Sequence, residues 1–465
     1  MELVMEKRKS ELPYIVRLLL FIAAVVAVAI VAYAPAVAAD ELPPHMVEID
    51  VALSHQKVLI GKSQEIYATI DLEAQQAEFE QRPPMNLAVV IDKSGSMRGE
   101  RIRQARRAAL HVVDSLTEQD RLALITYGSG HTVEFDSTAI DEQTQKQMRN
   151  TIRNIDARGA TNLSAGYKAG AAAVRKHHEP DAINRVLLLS DGRANRGITD
   201  PNQLRSLSRQ AFDDGISTST IGFGLDYNEQ VMTGMAVEGA GNYYFADDND
   251  DLQALVGGEM TGLSATVANR IEVLLDPGPG VEVAEVLGFN HRFLDGKAVV
   301  SLSELGAGQA RSIVVRLQAV PRQPETMDVL TVRANYRDAV NDRHRFRRQH
   351  LRAGVTEVAS EVDAHVDRDV LARAEEVLLA RAMDEAMEAY SSGNGAEARA
   401  VLDREASRSR QVQDKHGIES DKLEEMEGAF DRVGRTVEAQ PASSAAGQRM
   451  RKEASEESFG IQMSR

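Results

Sequence analysis

Three short segments of the chain carry small side chains with oxygen atoms where loops are expected. The first, Asp-Lys-Ser-Gly-Ser-Met at residues 92–97, directly follows an apolar run that ends at Ile91. The second, Gly-Ala-Thr-Asn at residues 159–162, precedes a helical pattern, and the third, Ser-Asp-Gly at residues 190–192, follows another apolar run. Hard cations such as magnesium prefer an octahedral shell of oxygen ligands. The segments therefore predict one divalent metal site with the candidate ligands Asp92, Ser94, Ser96, Thr161 and Asp191.

The first segment suits a compact site because serine hydroxyls are short and lie close to the backbone. Gly95 lets the loop turn without a side-chain clash, and a helix that begins near Gly99 would favour negative charge at its N-terminus. Helix capping is the alternative for Ser96 and for Thr161, because Ser and Thr are favoured at N-caps. The five oxygen-bearing residues together favour metal binding. Magnesium is the expected ion, and manganese or calcium remains possible.

The elements that must position these loops form a regular alternation between residues 85 and 263. Short apolar runs are separated by amphipathic helical segments. Unbroken apolar strands imply burial on both faces, and hence a mostly parallel sheet. The alternation predicts a doubly wound α/β domain with its site at the carboxyl ends of the strands. The runs occupy residues 87–91, 122–127, 186–189, 216–223 and 243–246.

Strand patterns with a period of two flank this domain on both sides, at residues 46–80 and 266–354. The early strands are too few to form a core alone. We therefore expect them to pair with the later strands, so that the α/β domain is inserted into a β-sandwich. A separate hairpin packed elsewhere is the alternative.

The C-terminal part changes to helical spacing over residues 355–439, with a break at the glycines of residues 393–395. This pattern predicts a helical hairpin followed by a further helix. The tail at residues 440–465 is rich in Ser, Ala, Gln and charged residues, and it is predicted to be disordered.

The three loops resemble the metal ion-dependent adhesion site of von Willebrand factor type A domains, over roughly residues 85–263. All five motif positions are present in order, and the flanking strands look like those of bacterial proteins related to inter-alpha-trypsin inhibitor heavy chains. The resemblance implies a metal with one open position, which a Glu or Asp of a partner protein fills. It also implies that the last helix, at residues 252–263, shifts between states of different affinity.

Composition excludes several other classes of function. The 465 residues include 70 Asp and Glu against 54 Lys and Arg, a net charge of -16, which argues against a nucleic-acid-binding protein. The absence of cysteine excludes disulfides, cysteine zinc sites and thiol catalysis. Ser129 lacks a Gly-x-Ser-x-Gly elbow, and neither a phosphate loop nor His-Glu-x-x-His is present. The protein is therefore expected not to be an enzyme, and water activated by the metal is the remaining route to hydrolysis.

The N-terminus has the layout of an export signal. A basic flank precedes an uncharged apolar run at residues 18–34 and a small-residue stretch before Asp40. Residues 1–38 are therefore expected to be a signal peptide, or an uncleaved anchor that associates with the membrane through residues 14–39. In either case the protein is expected to be exported, as a periplasmic or secreted protein or one anchored in the cytoplasmic membrane and facing outward.

Two clusters have simpler interpretations than a second site. His177 and His178 are adjacent, so they point in different directions on a helix, and a solvated helix end is expected. The basic residues of 343–352 are typical of a charged edge strand, with contact to anionic lipid or an acidic partner as the alternative. The sequence thus predicts metal-dependent protein binding. The alternative is an assembly scaffold whose C-terminal helices bind the partner.

Overall fold

The computed structural model describes residues 45–77, 82–247 and 252–463. The predicted signal peptide or anchor at residues 1–38 lies outside the described residues. Within the described part of the chain, no helix is long and apolar enough to cross a membrane.

The first strands are β1 (Val47–Leu53), β2 (Lys57–Leu59) and β3 (Gln64–Ala74). β1 and β3 pair in antiparallel fashion, from Val47 opposite Ala74 to Leu53 opposite Ala68. Residues 66–70 of β3 are buried. Two paired strands cannot bury such a surface by themselves, so another layer must cover them.

The α/β domain follows and contains a six-stranded sheet. The sheet has the order β6-β5-β4-β7-β8-β9, and every pair is parallel except β5 with β6. This arrangement confirms the predicted doubly wound, mostly parallel sheet. Its elements in chain order are β4 (Met85–Asp92), α1 (Glu100–Ser115), β5 (Arg121–Tyr127), β6 (His131–Ala139), α2 (Glu142–Arg153), α3 (Leu163–Lys176), β7 (Ile183–Ser190), α4 (Pro201–Asp213), β8 (Ser217–Phe223), α5 (Glu229–Glu238), β9 (Ala240–Ala246) and α6 (Leu252–Ser264).

The central strand β4 is buried along its whole length because helices cover both faces of the sheet. Leu87 and Val89 join the core on the side of α1, whereas Ala88 and Val90 join the core on the side of α3. A Cβ atom on Gly170 of α3 would lie only 2.5 Å from a methyl group of Val90. Glycine therefore lets this helix lie directly against the sheet, which fixes the loop at the end of β4.

The chain then returns to a β-sandwich. One sheet has the order β1-β3-β14-β11 and the other β12-β13-β10-β15-β16-β2. β14 pairs with β3 from Ala310 opposite Glu73 to Ala319 opposite Gln64. The α/β domain is thus inserted into the sandwich, as predicted, and the separate hairpin is excluded. The later strands are β10 (Thr266–Pro277), β11 (Val281–Leu287), β12 (His291–Leu294), β13 (Lys297–Gly306), β14 (Ala310–Ala319), β15 (Glu325–Asp338) and β16 (Arg343–Thr356).

Five helices complete the described chain, and they correct one prediction. The tail at residues 440–465 was expected to be disordered, but most of it forms a helix that starts at a Ser444 cap. The buried side chains of Phe459 and Ile461 hold this helix against the rest of the protein. The polar composition of this segment did not indicate that one face of the helix is buried by neighbouring elements. The helices are α7 (Ala359–Ala364), α8 (Arg368–Ser391), α9 (Gly395–His416), α10 (Asp421–Ala439) and α11 (Ala445–Gln462).

A buried ionic network joins the α/β domain to the sandwich. The guanidinium of Arg185 on β7 is completely buried and donates to Glu259 on α6 at 2.6 Å, and it also binds Glu304 on β13. Burial alone would raise the pKa of Glu259. The charge of Arg185 and hydrogen bonds from Ser219 and other donors outweigh burial and hold the pKa at about 2.

Glu259→Gln is expected to lower the free energy of unfolding by about 3 kcal/mol, because it leaves the buried charge of Arg185 undercompensated. Chemical denaturation followed by circular dichroism measures the change. The matched control is Glu272→Gln, whose surface pair with Arg292 is half exposed and is expected to change stability by less than about 0.5 kcal/mol. Equal effects of the two substitutions would contradict this role of the network.

A histidine pair lies where the sandwich meets the helices. The rings of His55 and His416 contact edge to face with centroids 6.3 Å apart. Burial lowers the pKa of His55 to about 4, helped by the positive charges of His416 and Lys415 and opposed by Asp363. The folded protein therefore binds a proton at His55 less readily than the unfolded chain.

Stability is expected to fall as the pH drops from about 6.5 towards 4, because the unfolded chain gains the proton in this range. The contribution of His55 is about 3 kcal/mol, at 1.36 kcal/mol for each pKa unit. Urea unfolding at pH 7 and pH 4.5 measures it. His55→Gln is expected to flatten the pH dependence, and an unchanged slope in this variant would contradict the assignment.

Candidate metal centre

The first loop is built around Asp92, the last residue of β4, which is completely buried. Its Oδ1 atom accepts a hydrogen bond from the backbone N–H of Ser94 at 2.7 Å. Its Oδ2 atom accepts one from the hydroxyl of Ser190 at 3.2 Å. A single 3-10 turn, Gly95–Met97, follows before α1. The carboxylate of Asp92 is thereby held in one orientation.

All five predicted ligands meet at the carboxyl edge of the sheet. The Oγ atoms of Ser94 and Ser96 are 2.9 Å apart, and Ser96 Oγ donates to Asp191 Oδ1 at 2.8 Å. A Cβ atom on Gly192 would lie 3.3 Å from Ser96 Oγ and 3.4 Å from Thr161 Oγ1. Hydrogen bonds thus connect four of the candidate ligands, and the hydroxyl of Thr161 lies beside them near Gly192.

Backbone hydrogen bonds tie the second loop to the other two. The N–H of Gly95 donates to the carbonyl of Gly159 at 2.9 Å, and the N–H of Thr161 donates to Asn195 Oδ1 at 2.9 Å. The side chain that caps α3 is Asn162. Capping does not occupy Ser96 either, because Gly99 is the N-cap residue of α1. The capping alternatives for Thr161 and Ser96 are therefore wrong, and both hydroxyls face the site.

The electrostatics of the site favour a cation. Burial and the negative charge of Asp191 together raise the pKa of Asp92 to about 7, against the hydrogen bonds that Asp92 accepts from Ser94 and Ser190. Burial also raises the pKa of Asp191. Two buried carboxylates close together are costly unless a positive charge offsets them. The donor set is all oxygen and fits a hard divalent ion such as Mg²⁺.

Lysine and arginine near the site have different roles. Lys93, at a variable position of the first loop, turns away from the carboxylates, and its Nζ atom lies 3.3 Å from Glu134. Arg101, in the first turn of α1, donates to Asp191 Oδ2 at 3.1 Å and lies 3.2 Å from Asp226. Arg101 thereby orients the carboxylate of Asp191, whose Oδ1 atom accepts the hydrogen bond from Ser96. A metal ligand is commonly fixed in this way by a neighbouring group.

Three positioning residues were missed by sequence reasoning, namely Arg101, Ser190 and Asn195. Ser190 and Asn195 flank Asp191 on the same loop, so proximity in sequence was a usable signal for them. Nothing in the sequence indicates that Arg101 reaches Asp191, because that contact depends on how α1 packs. His177 lies at the C-terminal end of α3, as predicted for a helix end.

Residues 86–257 match the family model of the von Willebrand factor type A domain. This part of the chain is therefore such a domain, as the resemblance of its loops implies. These domains generally mediate protein–protein interaction, and proteins that carry them are typically non-enzymatic. They often bind a divalent metal.

Relatives of known sequence share this domain. The chain is 30% identical over 255 residues to the uncharacterized protein YfbK of Escherichia coli, covering 53% of this chain and 44% of that protein. It is 29% identical over 196 residues to human inter-alpha-trypsin inhibitor heavy chain H3, covering 40% of this chain and 21% of the heavy chain. The matches thus span less than half of each of these relatives.

Solved structures share the fold over most of the chain. A von Willebrand factor type A protein from Catenulispora acidiphila matches 91% of this chain and 98% of its own, with a TM-score of 0.69 at 17% identity. The ArnB paralog VWA2 from Sulfolobus acidocaldarius matches 89% of this chain and 98% of its own, with a TM-score of 0.62 at 18% identity. At these identities the likeness concerns the fold alone.

Asp92→Asn is expected to stabilise the protein in chelator by about 2 kcal/mol, since it removes a buried charge next to Asp191. The same change is expected to abolish the stabilisation of the wild-type protein by added Mg²⁺, which is about 2.7 kcal/mol at a hundredfold excess over Kd. Thermal unfolding with EDTA and with Mg²⁺ measures both effects. A variant that Mg²⁺ still stabilises as much as the wild type would contradict the ligand assignment.

Proposed function

We propose that the protein is a metal-dependent protein-binding module for adhesion or assembly. Asp92, Ser94, Ser96, Thr161 and Asp191 would hold one Mg²⁺, with Mn²⁺ or Ca²⁺ as substitutes. The observation that carries the proposal is the convergence of these oxygens at the sheet edge, where Ser96 joins the first loop to Asp191. The ion would supply a Lewis-acidic position for a carboxylate of a partner protein.

The charge balance supports a carboxylate as the incoming group. Two protein carboxylates bring a dication close to neutrality, so that a third carboxylate is still attracted. Ser96 is exposed while Asp92 and Asp191 are buried, and an incoming group therefore approaches from the hydroxyl side. This chemistry requires an Asp or Glu side chain on the partner.

A binding role fits the surroundings better than hydrolysis. A general base near the metal is needed to activate water. Asp226 is an exposed carboxylate near the site, and Arg101 holds it in an ion pair at 3.2 Å, so it is not free to position a water molecule. Export from the cytoplasm, proposed from residues 1–39, places such a module where partner proteins on cell surfaces are accessible.

A scaffold function is the second candidate. It is favoured by the C-terminal helices, which pack on both the α/β domain and the sandwich and bury residues such as Val370 and Lys452. In this alternative the metal stabilises the loops and the helices bind the partner.

Calorimetric titration of the full chain with Mg²⁺ is expected to show about one ion bound per chain, and Asp92→Ala is expected to abolish it because a direct ligand is removed. Asp328→Ala serves as the matched control, since Asp328 is exposed on the sandwich. Mg²⁺ binding that survives Asp92→Ala would refute the metal-binding proposal. Binding of Mg²⁺ with no chelator effect on the capture of a purified partner would favour the scaffold.

A further inference from the structure

A cleft of about 520 Å³ lies beside the metal centre, between the α/β domain and the C-terminal helices. One wall includes two of the candidate ligands, Ser96 and Thr161, and also Arg193. The other wall includes Gln448 and Arg451 of α11. The hydroxyl groups of Ser96 and Thr161, which would face an incoming carboxylate, therefore line a cleft and not a flat surface.

The helical wall is anchored by buried charges. Glu229, at the start of α5, binds Arg451 and lies 3.2 Å from the Nζ atom of Lys452. All three side chains are buried, and Lys452 also donates to the carbonyl of Tyr227 at 3.2 Å. Breaking such a buried set is strongly unfavourable. The helical wall is therefore held in a fixed position beside the cleft.

Both walls carry arginine. Arg193 is exposed on the loop that follows Asp191. Arg451 is only 3% exposed, and its Nε atom is buried without a hydrogen-bond partner among the described residues. The fork of an arginine side chain matches a carboxylate. Asp226 also lines the cleft, but Arg101 pairs with it, and Glu229 pairs with Arg451. The exposed charge of Arg193 is therefore the feature of the cleft that favours an anionic ligand.

We propose that this cleft binds an extended acidic peptide segment of the partner, a proposal that rests on the proposed metal site. One carboxylate of the segment reaches the metal, and a second carboxylate is bound by Arg193 with Arg451 behind it. The volume lies within the range of about 300–1,000 Å³ that is usual for ligand pockets. The helical wall excludes a broad folded surface from that side and admits a narrow segment.

The test is calorimetric titration of the full chain, in Mg²⁺, with acetylated and amidated peptides that carry two aspartates separated by zero, one or two glycines. The corresponding asparagine peptides serve as the uncharged probes. At least one aspartate peptide is expected to bind, and its affinity is expected to be lost in EDTA.

Two variants test the walls separately. Arg193→Ala is expected to weaken the aspartate peptide about tenfold, and Arg196→Ala is the control on the same loop, exposed and outside the cleft. Gln448→Glu is expected to weaken binding of the aspartate peptide about tenfold, because the added carboxylate repels the carboxylates of the peptide. Ala446→Glu adds the same charge to the exposed side of α11 as its control. Thermal unfolding verifies that each variant is folded.

The outcomes of these experiments distinguish a failure of the cleft proposal from a failure of the metal-binding proposal. If Asp92→Ala abolishes peptide binding while Arg193→Ala and Gln448→Glu behave as their controls, the cleft proposal fails and the metal-dependent function stands. If the wild-type protein binds Mg²⁺ but none of the peptides, the cleft proposal is likewise overturned. Loss in both cleft variants with unchanged controls supports it.

Discussion

The proposed metal centre depends on the placement of two buried carboxylates at one edge of a parallel sheet. Because β4 and β7 are adjacent and parallel, with Ile91 opposite Leu189, their following residues come together. Asp92 and Asp191 are both fully buried there, and burial together with the negative charge of Asp191 raises the pKa of Asp92. Hydroxyls, backbone amides and Arg101 offset part of this cost. A divalent cation would offset the remainder, and the proposed metal site therefore lies where the strand order brings the two carboxylates together.

The other domains restrict how this centre is reached. The sandwich is attached to the α/β domain through the ion pair of the buried Arg185 with Glu304, and the last helix is attached to the α/β domain through Glu229. Both attachments use charges that are costly to separate, so the domains are held in one arrangement. The helical segment then forms a wall beside Ser96. The candidate metal site therefore lies in a cleft and not on an open surface, which would restrict the shape of the proposed partner segment.

Much of the fold was predictable, because local patterns carry it. Fully apolar runs predicted the parallel sheet, and the shortage of early strands predicted the inserted sandwich. The proximity of the five candidate ligands was predictable, since they are short side chains on loops at the carboxyl ends of the strands. The contact of Arg101 with Asp191 and the presence of the cleft were not predictable from the sequence, because both depend on how helices that are distant in sequence pack. The prediction for the tail failed for a related reason. Charged residues such as Lys452 are usually exposed, and its burial is explained by Glu229 and Tyr227, which are distant in sequence.

The most direct measurement is anomalous diffraction from a crystal of the full chain grown with Mn²⁺, whose scattering identifies the ion without assumptions about ligands. One strong peak is expected within about 2–2.5 Å of oxygen atoms of the five candidate ligands, on the side of Ser96 that faces the cleft. A peak bound elsewhere, or a fully ordered sheet edge with no peak at saturating Mn²⁺, would show that these five residues do not form a metal centre.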